Sequence, residues 1–202
     1  MKLYTATTPN GKKPLIALEE LGVPYETHWV SFKNNEQKSP AFLAINPNGK
    51  IPALDDDGLL VWESGAILLH LAERYGKLLP RDRAGRMQAI SLLFFQTGGI
   101  GPAGGRLGAE WRKPEDKRNQ ESFNYFRDEV ERLIGATELI LQDGREYLVG
   151  EYSVADIMHW TWTEYLLGAG IPGIGDHPLV KAWVERVRAR PAVQKALALK
   201  PE

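Results

Sequence analysis

The spacing of apolar residues changes character once along this chain, and that change constrains the fold most. Lys2 to Thr8 reads as a short strand of β-branched and aromatic residues. Leu15, Leu18 and Leu21 then recur at helical spacing, with Pro14 suited to the first turn and Gly22 to the stop. Tyr25 to Val30 alternates as a second strand. Ser39 to Ile45 predicts a short helix closed by Asn46-Pro47-Asn48-Gly49. Lys50 to Leu54 and Leu59 to Trp62 read as two strands joined through Asp55-Asp56-Asp57-Gly58, an antiparallel hairpin. Ser64 to Tyr75 is a strongly apolar helix. The order βαβ, short helix, ββα is met most simply by a mixed sheet with helices on both faces.

Beyond a linker at Gly76 to Arg86 the periodicity is helical only. The expected helices are Met87 to Thr97, Glu115 to Gln142, Val154 to Leu167 and His177 to Ala198. One start is unusually well specified. Ser153 and Asp156 form a capping-box pair, with Tyr152 placed to pack on Ile157 as a staple. The expected domains are an α/β domain over residues 1–80 and an all-helical domain over residues 81–202.

Charge and composition narrow the partners. The 25 basic and 26 acidic residues give a formal net charge of −1. Neither half carries the excess that nucleic acid or an anionic membrane would demand, so a small molecule or another protein is the expected partner. The chain has no cysteine, which removes disulfides, thiolate metal sites and a cysteine nucleophile. Met1-Lys2-Leu3-Tyr4 runs straight into a strand pattern, and no run reaches the roughly 18 apolar residues of a membrane span. The expectation is a cytoplasmic protein.

Lys50-Ile51-Pro52-Ala53-Leu54, Glu63-Ser64-Gly65-Ala66-Ile67 and the Ser153 to Asp156 cap, in this order and at these separations, resemble the glutathione transferase superfamily over nearly the whole chain. Thr8-Pro9-Asn10-Gly11, Asn46-Pro47-Asn48-Gly49-Lys50 and Gly98-Gly99-Ile100-Gly101-Pro102 look like its bacterial nu class, relatives of the yeast nitrogen-regulator prion protein. The resemblance implies the glutathione transferase fold: an α/β thioredoxin-like domain followed by an all-α helical bundle. It also implies a homodimer and a site for glutathione, reduced or oxidised, with no metal.

The resemblance assigns roles by position. Pro52 is expected in the cis form, leaving the Ile51 amide and carbonyl to pair with the cysteinyl part of glutathione like one more strand. Ser64, at a helix start, would hold the γ-glutamyl carboxylate, and Glu63 its ammonium group. Gln37 and Lys50 match positions near the rest of the tripeptide. The bland alternatives are an edge-strand proline, an ordinary cap and solvated surface. The nu class also brings a basic residue from the helical domain. Arg127 and Arg132 are the candidates, and either reads equally as an exposed helix charge.

The catalytic position departs from the Tyr, Ser and Cys patterns of the superfamily. The beta-class cysteine falls at Asn10 in this chain. Tyr4 lies inside the first strand and reads as a core aromatic. Thr8 and Asn10 remain, as in the nu class, and both can donate a hydrogen bond toward sulfur. Neither is a general base, so chemistry would run through a bound thiolate with no covalent protein intermediate. The expected reaction is glutathione-dependent reduction of small disulfides, with organic peroxides as further substrates. The alternatives are conjugation of glutathione to electrophiles and a non-catalytic scaffold module. Gly99-x-Gly101-x-x-Gly104 fits a dinucleotide fingerprint by letter only, since it follows a helical run and contains Pro102. His28, His70, His159 and His177 lack metal-ligand spacing, and Trp160 and Trp162 cannot share one helix face.

Overall fold

The structure, a computed structural model, describes residues 1–201. It divides into two compact units: Met1–Leu79 with the chain from Ala189 onward, and Pro80–Arg188.

The first unit is built on a four-stranded sheet of order β2-β1-β3-β4, from β1 (Lys2–Thr5), β2 (Glu26–Trp29), β3 (Ala53–Asp56) and β4 (Leu59–Trp62). β1 runs parallel to β2 and antiparallel to β3, and β3 pairs antiparallel with β4. Alternation along β1 sends Leu3 and Thr5 to one face and Tyr4 to the other. Thr5 meets α1 (Pro9–Leu21), on which α3 (Ser64–Tyr75) also packs. Tyr4 meets α2 (Pro40–Ile45), whose Phe42 joins Val30 and Ala53 in a small core on that face. The mixed sheet with helices on both faces is as expected, and Tyr4 is a half-buried aromatic packed against the core on the α2 face.

Several boundaries differ from the sequence reading, and three of them bear on the first unit. α1 starts at Pro9 with Thr8 as its cap, so Pro14 lies inside the helix rather than in its first turn. β3 starts at Ala53, which leaves Lys50, Ile51 and Pro52 in the segment ahead of it. Asp55 and Asp56 are therefore strand residues, and only Asp57 and Gly58 make the turn. Asp56 is 4 % exposed, is hydrogen-bonded to His70 and forms an ion pair with Arg74, both of α3, which ties the helix to the hairpin. The last expected helix is two. Pro191 cannot continue α8 (Pro178–Arg188) and opens α9 (Pro191–Ala198) instead. α9 returns to pack on α1, through Arg190 to Glu20 and Lys195 to Glu19, both at 2.6 Å.

The second unit is helical: α4 (Arg83–Phe95), α5 (Gly101–Trp111), α6 (Gln120–Leu141), α7 (Val154–Gly168) and α8. Between α4 and α5 the backbone makes a π-helical turn, Gln96–Ile100. His159 of α7 donates through Nε2 to the Leu92 carbonyl at 2.8 Å, just where the α-helical ladder gives way. A side chain inserted at such a point is a recognised cause of a break in helix geometry. α5 was not expected, because its four glycines weigh against a helix. Packing explains them: a β-carbon at Gly104 would come within 3.1 Å of both Leu166 and Trp162 of α7, and one at Gly108 within 2.9 Å of the Tyr165 hydroxyl. Trp160 is fully buried and Trp162 half-buried, as their spacing implied. Among the described residues no helix is long and apolar enough to cross a membrane.

The capping box is present and does more than start α7. The buried Asp156 carboxylate accepts from Ser153 N, from Leu148 N in the preceding loop and from Trp183 Nε1 of α8, each at 2.9 Å. One side chain thus pins three segments. We expect Asp156→Ala to leave three buried N–H groups without an acceptor and to lower unfolding stability by ~3 kcal/mol or more. Ser153→Ala, which removes the cap acceptor and one 3.3 Å donor to Asp156 but leaves no buried N–H of another segment unpaired, should cost about 1 kcal/mol. Chemical denaturation of the two variants would check the difference, and equal losses would reduce Asp156 to an ordinary cap residue.

Candidate functional site

Strand register decides which loops meet. Tyr4 pairs with Ala53, and Ala53 with Trp62. Extending each ladder by one residue sets Pro52 beside Thr5 and carries β4 directly into Glu63 and Ser64. Thr5 also pairs with Trp29, so the chain leaving β2 toward Gln37 starts from the same end of the sheet. The start of α1, the Ile51-Pro52 bond, the start of α3 and the segment around Gln37 therefore gather at one sheet end.

At α1, Thr8 caps the helix and its hydroxyl accepts from Gly11 N at 3.1 Å. That hydroxyl keeps its own hydrogen to donate. Asn10 lies in the first helical turn, so Thr8 and Asn10 stand at the helix N-terminus itself rather than ahead of a helix beginning after Gly11. Gly11 is forced by a close approach. A β-carbon there would lie 2.0 Å from the Ala6 carbonyl oxygen and 2.6 Å from Thr5 Oγ1. The absence of a side chain lets the first turn of α1 sit against the end of β1, where Thr5 Oγ1 donates to Gly11 O at 2.9 Å.

The Ile51-Pro52 peptide is cis, as expected. The approach to it is organised by Asn46, a buried side chain that the sequence reading placed in a turn and a class motif without a role of its own. Its Oδ1 accepts from Asn48 N at 3.0 Å and its Nδ2 donates to Lys50 O at 2.6 Å. Lys50 itself is exposed. Gln37 is half-buried, and its carbonyl lies against Gly49, 2.9 Å from where a β-carbon would be. Its Oε1 is buried and has no partner within the protein.

At α3 the cap position belongs to Glu63, not Ser64. Glu63 makes no capping bond through its side chain and has φ 71°, in the left-handed region that non-glycine residues rarely occupy. Such a conformation costs of order 1–3 kcal/mol and collects at functional sites. Ser64 is the first helical residue and is 6 % exposed. It is thus not the cap of its helix, and the first-turn amides of α3 have no capping side chain from Glu63.

The residue that the sequence reading missed is Lys13. It is 1 % exposed, and its ammonium donates to Asn10 Oδ1 at 2.9 Å and to Ser64 Oγ at 3.4 Å. It bridges the N-termini of α1 and α3. Burial pulls its pKa down from 10.5 to about 7, against the opposing pull of the Glu63 carboxylate. The signal was available in principle. With Thr8 as cap, Asn10 and Lys13 fall three apart on one helix face, whereas a helix begun at Lys12 separates them. Arg127 and Arg132 belong to α6 of the other unit. Arg127 pairs with Asp128 at 2.7 Å and with Asn124, and Arg132 with Glu129 at 2.7 Å. The histidines stay apart, and among the described residues no cluster could hold a metal ion.

Family models match both units: the N-terminal domain of glutathione S-transferase over residues 1–73 and its C-terminal domain over residues 108–199. The chain belongs to the glutathione S-transferase family. Its relatives place it in the group of the nu class and the yeast regulator. It is 37 % identical to the disulfide-bond oxidoreductase YfcG of Escherichia coli, over 96 % of this chain and 93 % of that one. It is 34 % identical to the transcriptional regulator URE2 of Saccharomyces cerevisiae, over 95 % of this chain and 65 % of that protein. Its structure is similar to that of a glutathione transferase from Burkholderia graminis solved with two glutathione molecules per subunit. The TM-score is 0.91 and the identity 42 %, over 97 % of this chain and 86 % of that one.

The close approach at Gly11 is testable by a single methyl. We expect Gly11→Ala to destabilise the protein by ~3 kcal/mol, since the clash is with backbone oxygen. Gly168→Ala, at the end of α7 with nothing within 4 Å, should be neutral or stabilising by up to about 1 kcal/mol. Thermal melts of the two variants check this, and a neutral Gly11→Ala would show that α1 can lift away from β1.

Proposed function

We propose that this glutathione transferase reduces small disulfides with glutathione, using thiols supplied only by its substrates. The observation that carries the reading is the meeting of two helix N-termini at Thr8–Asn10 and Ser64, bridged by Lys13, in a chain without cysteine. Helix N-termini favour negative charge. One is suited to the γ-glutamyl carboxylate and the other to a sulfur anion.

Glutathione then lies along the sheet end. The Ile51 backbone beside cis-Pro52 pairs with the cysteinyl residue. Ser64 and the first-turn amides of α3 take the γ-glutamyl carboxylate, and Glu63 takes its ammonium group. Gln37 and Lys50 reach the glycyl end, where the buried Gln37 oxygen offers an acceptor. Arg127 is the basic residue assigned from the helical unit. Thr8 and Asn10 donate toward sulfur and hold it as thiolate.

The chemistry balances with glutathione alone. A glutathione thiolate attacks one sulfur of the disulfide; its S–S bond breaks, and the leaving thiolate takes up a proton. A second glutathione thiolate attacks the mixed disulfide, which yields oxidised glutathione and the second thiol. Two glutathiones are oxidised and one disulfide is reduced. The similarity to a disulfide-bond oxidoreductase and to a transferase that binds two glutathiones per subunit supports this reading over conjugation. Organic peroxides would enter as further oxidants. We also assign a homodimer. Leu59 and Trp62 on β4, and Met87 and Phe94 on α4, are exposed apolar side chains suited to a second copy, with Phe94 72 % exposed.

The test is glutathione-dependent reduction of hydroxyethyl disulfide, coupled to glutathione reductase, beside conjugation of chlorodinitrobenzene. Disulfide reduction should dominate. Asn10→Ala should lower kcat about tenfold or more with little change in glutathione KM. Ser64→Ala should chiefly raise that KM. Dominant conjugation would keep the glutathione site and replace the reaction. No activity together with no glutathione affinity would leave a scaffold module, as the URE2 similarity allows.

A further inference from the structure

We infer that Lys13 is a positioning residue: from beneath the site it fixes which way the Asn10 amide faces, and so presents an N–H rather than an oxygen to the substrate sulfur. The inference rests on the functional reading above and adds a residue to it.

A carboxamide is nearly symmetric in shape, yet its two ends are opposite in polarity. Turned one way, Asn10 donates toward a thiolate. Turned the other way, it sets a carbonyl oxygen against the thiolate and repels it. The chain must choose, and an ammonium group is a suitable selector because it only donates. With the protonated Lys13 Nζ 2.9 Å from the Asn10 side chain, the atom facing it is Oδ1. Nδ2, across the amide carbon, is then directed away from the ammonium. Asn10 and Lys13 sit three apart on α1, so helix geometry holds the pair in register.

The placement of the ammonium is not explained by folding. Nine-tenths or more of the side chain is buried, and a buried cation costs several kcal/mol unless it is well paired. Its partners include two neutral side-chain oxygens, one of them at 3.4 Å, with the Glu63 carboxylate nearby. A core position on α1 flanked by Pro14, Leu15 and Ile16 could be filled by an apolar side chain at lower cost. A thiolate bound above Asn10 adds its negative charge to that of Glu63 in the surroundings of the buried ammonium. The same link to Ser64 Oγ keeps the two helix starts in step, so the carboxylate end and the sulfur end of glutathione are placed by one group.

The experiment is a double-mutant cycle on the full-length protein with Lys13→Met, a substitution of similar length and volume, and Asn10→Ala. We expect Lys13→Met to lower kcat for hydroxyethyl disulfide about tenfold. In the Asn10→Ala background it should lower kcat no further, because a residue that acts through Asn10 has nothing left to position. The ultraviolet absorbance of bound glutathione thiolate should fall in Lys13→Met at neutral pH. The melting temperature should hold or rise, which a lysine retained for folding would not allow. Should Lys13→Met fail to fold, Lys13→Gln, which restores a donor, should recover part of the activity lost in Lys13→Leu. Additive losses in the cycle, or an unchanged kcat in Lys13→Met, overturn the inference while leaving disulfide reduction intact. A wild-type protein inactive on the disulfide removes the functional reading and this inference with it.

Discussion

The antiparallel pairing of β1 with β3, and of β3 with β4, is the constraint on which the site depends. Because β3 runs against both neighbours, the end at which it begins is the end at which they finish. The segment before Ala53 must therefore face the starts of α1 and α3. A one-residue slip would turn Tyr4 away from Phe42 and Leu3 out of the core, so register is set by burial on both faces. The site inherits the meeting of its segments from the sheet.

Two features at this sheet end run against stability. Glu63 holds a left-handed backbone, and Lys13 keeps an ammonium in the core. Natural proteins violate local rules where function demands it. Both violations lie within contact of one serine, Ser64: Glu63 precedes it and Lys13 donates to it. Their coincidence is a stronger argument for a ligand there than either would be alone. A serine that only capped its helix would need neither, and Ser64 is not the cap.

Much of the fold was legible because strand and helix periods differ and because turn residues punctuate them. β4, α3 and the start of α7 were placed correctly, and the hairpin was recognised from its Asp-Gly turn although its first strand begins three residues later than expected. What was not legible has particular causes. Lys12 and Lys13 are adjacent and identical in type, so only the true helix start tells which one is buried. Pro14 pulled that start toward itself, although Thr8 and Pro9 carry the stronger cap-and-first-turn signal. Asp55-Asp56-Asp57 looks like one turn, but Asp56 has partners in α3, separated from it by more than a turn of sequence, and no local rule finds them. The candidate residues of the first unit were readable from motif order, whereas Lys13 acts on other residues and left no motif, and Asn46 stood inside a motif that assigned it no role.

The glycines of α5 show the same limit from the opposite side. Local propensity counts Gly101, Gly104, Gly105 and Gly108 against a helix, by about 1 kcal/mol each relative to alanine. Tertiary contact reverses the sign: Trp162, Tyr165 and Leu166 of α7 occupy the space beside Gly104, Gly105 and Gly108, and Gln96 that beside Gly101. The helix exists because another helix needs to lie close to it. The adjoining π-helical turn is likewise held from α7, by His159 on the Leu92 carbonyl. α7 is itself anchored through Asp156 to the loop before it and to α8. A single buried helix thus dictates the course of its neighbours, and a sequence that specifies α7 unambiguously can leave α5 almost unsigned.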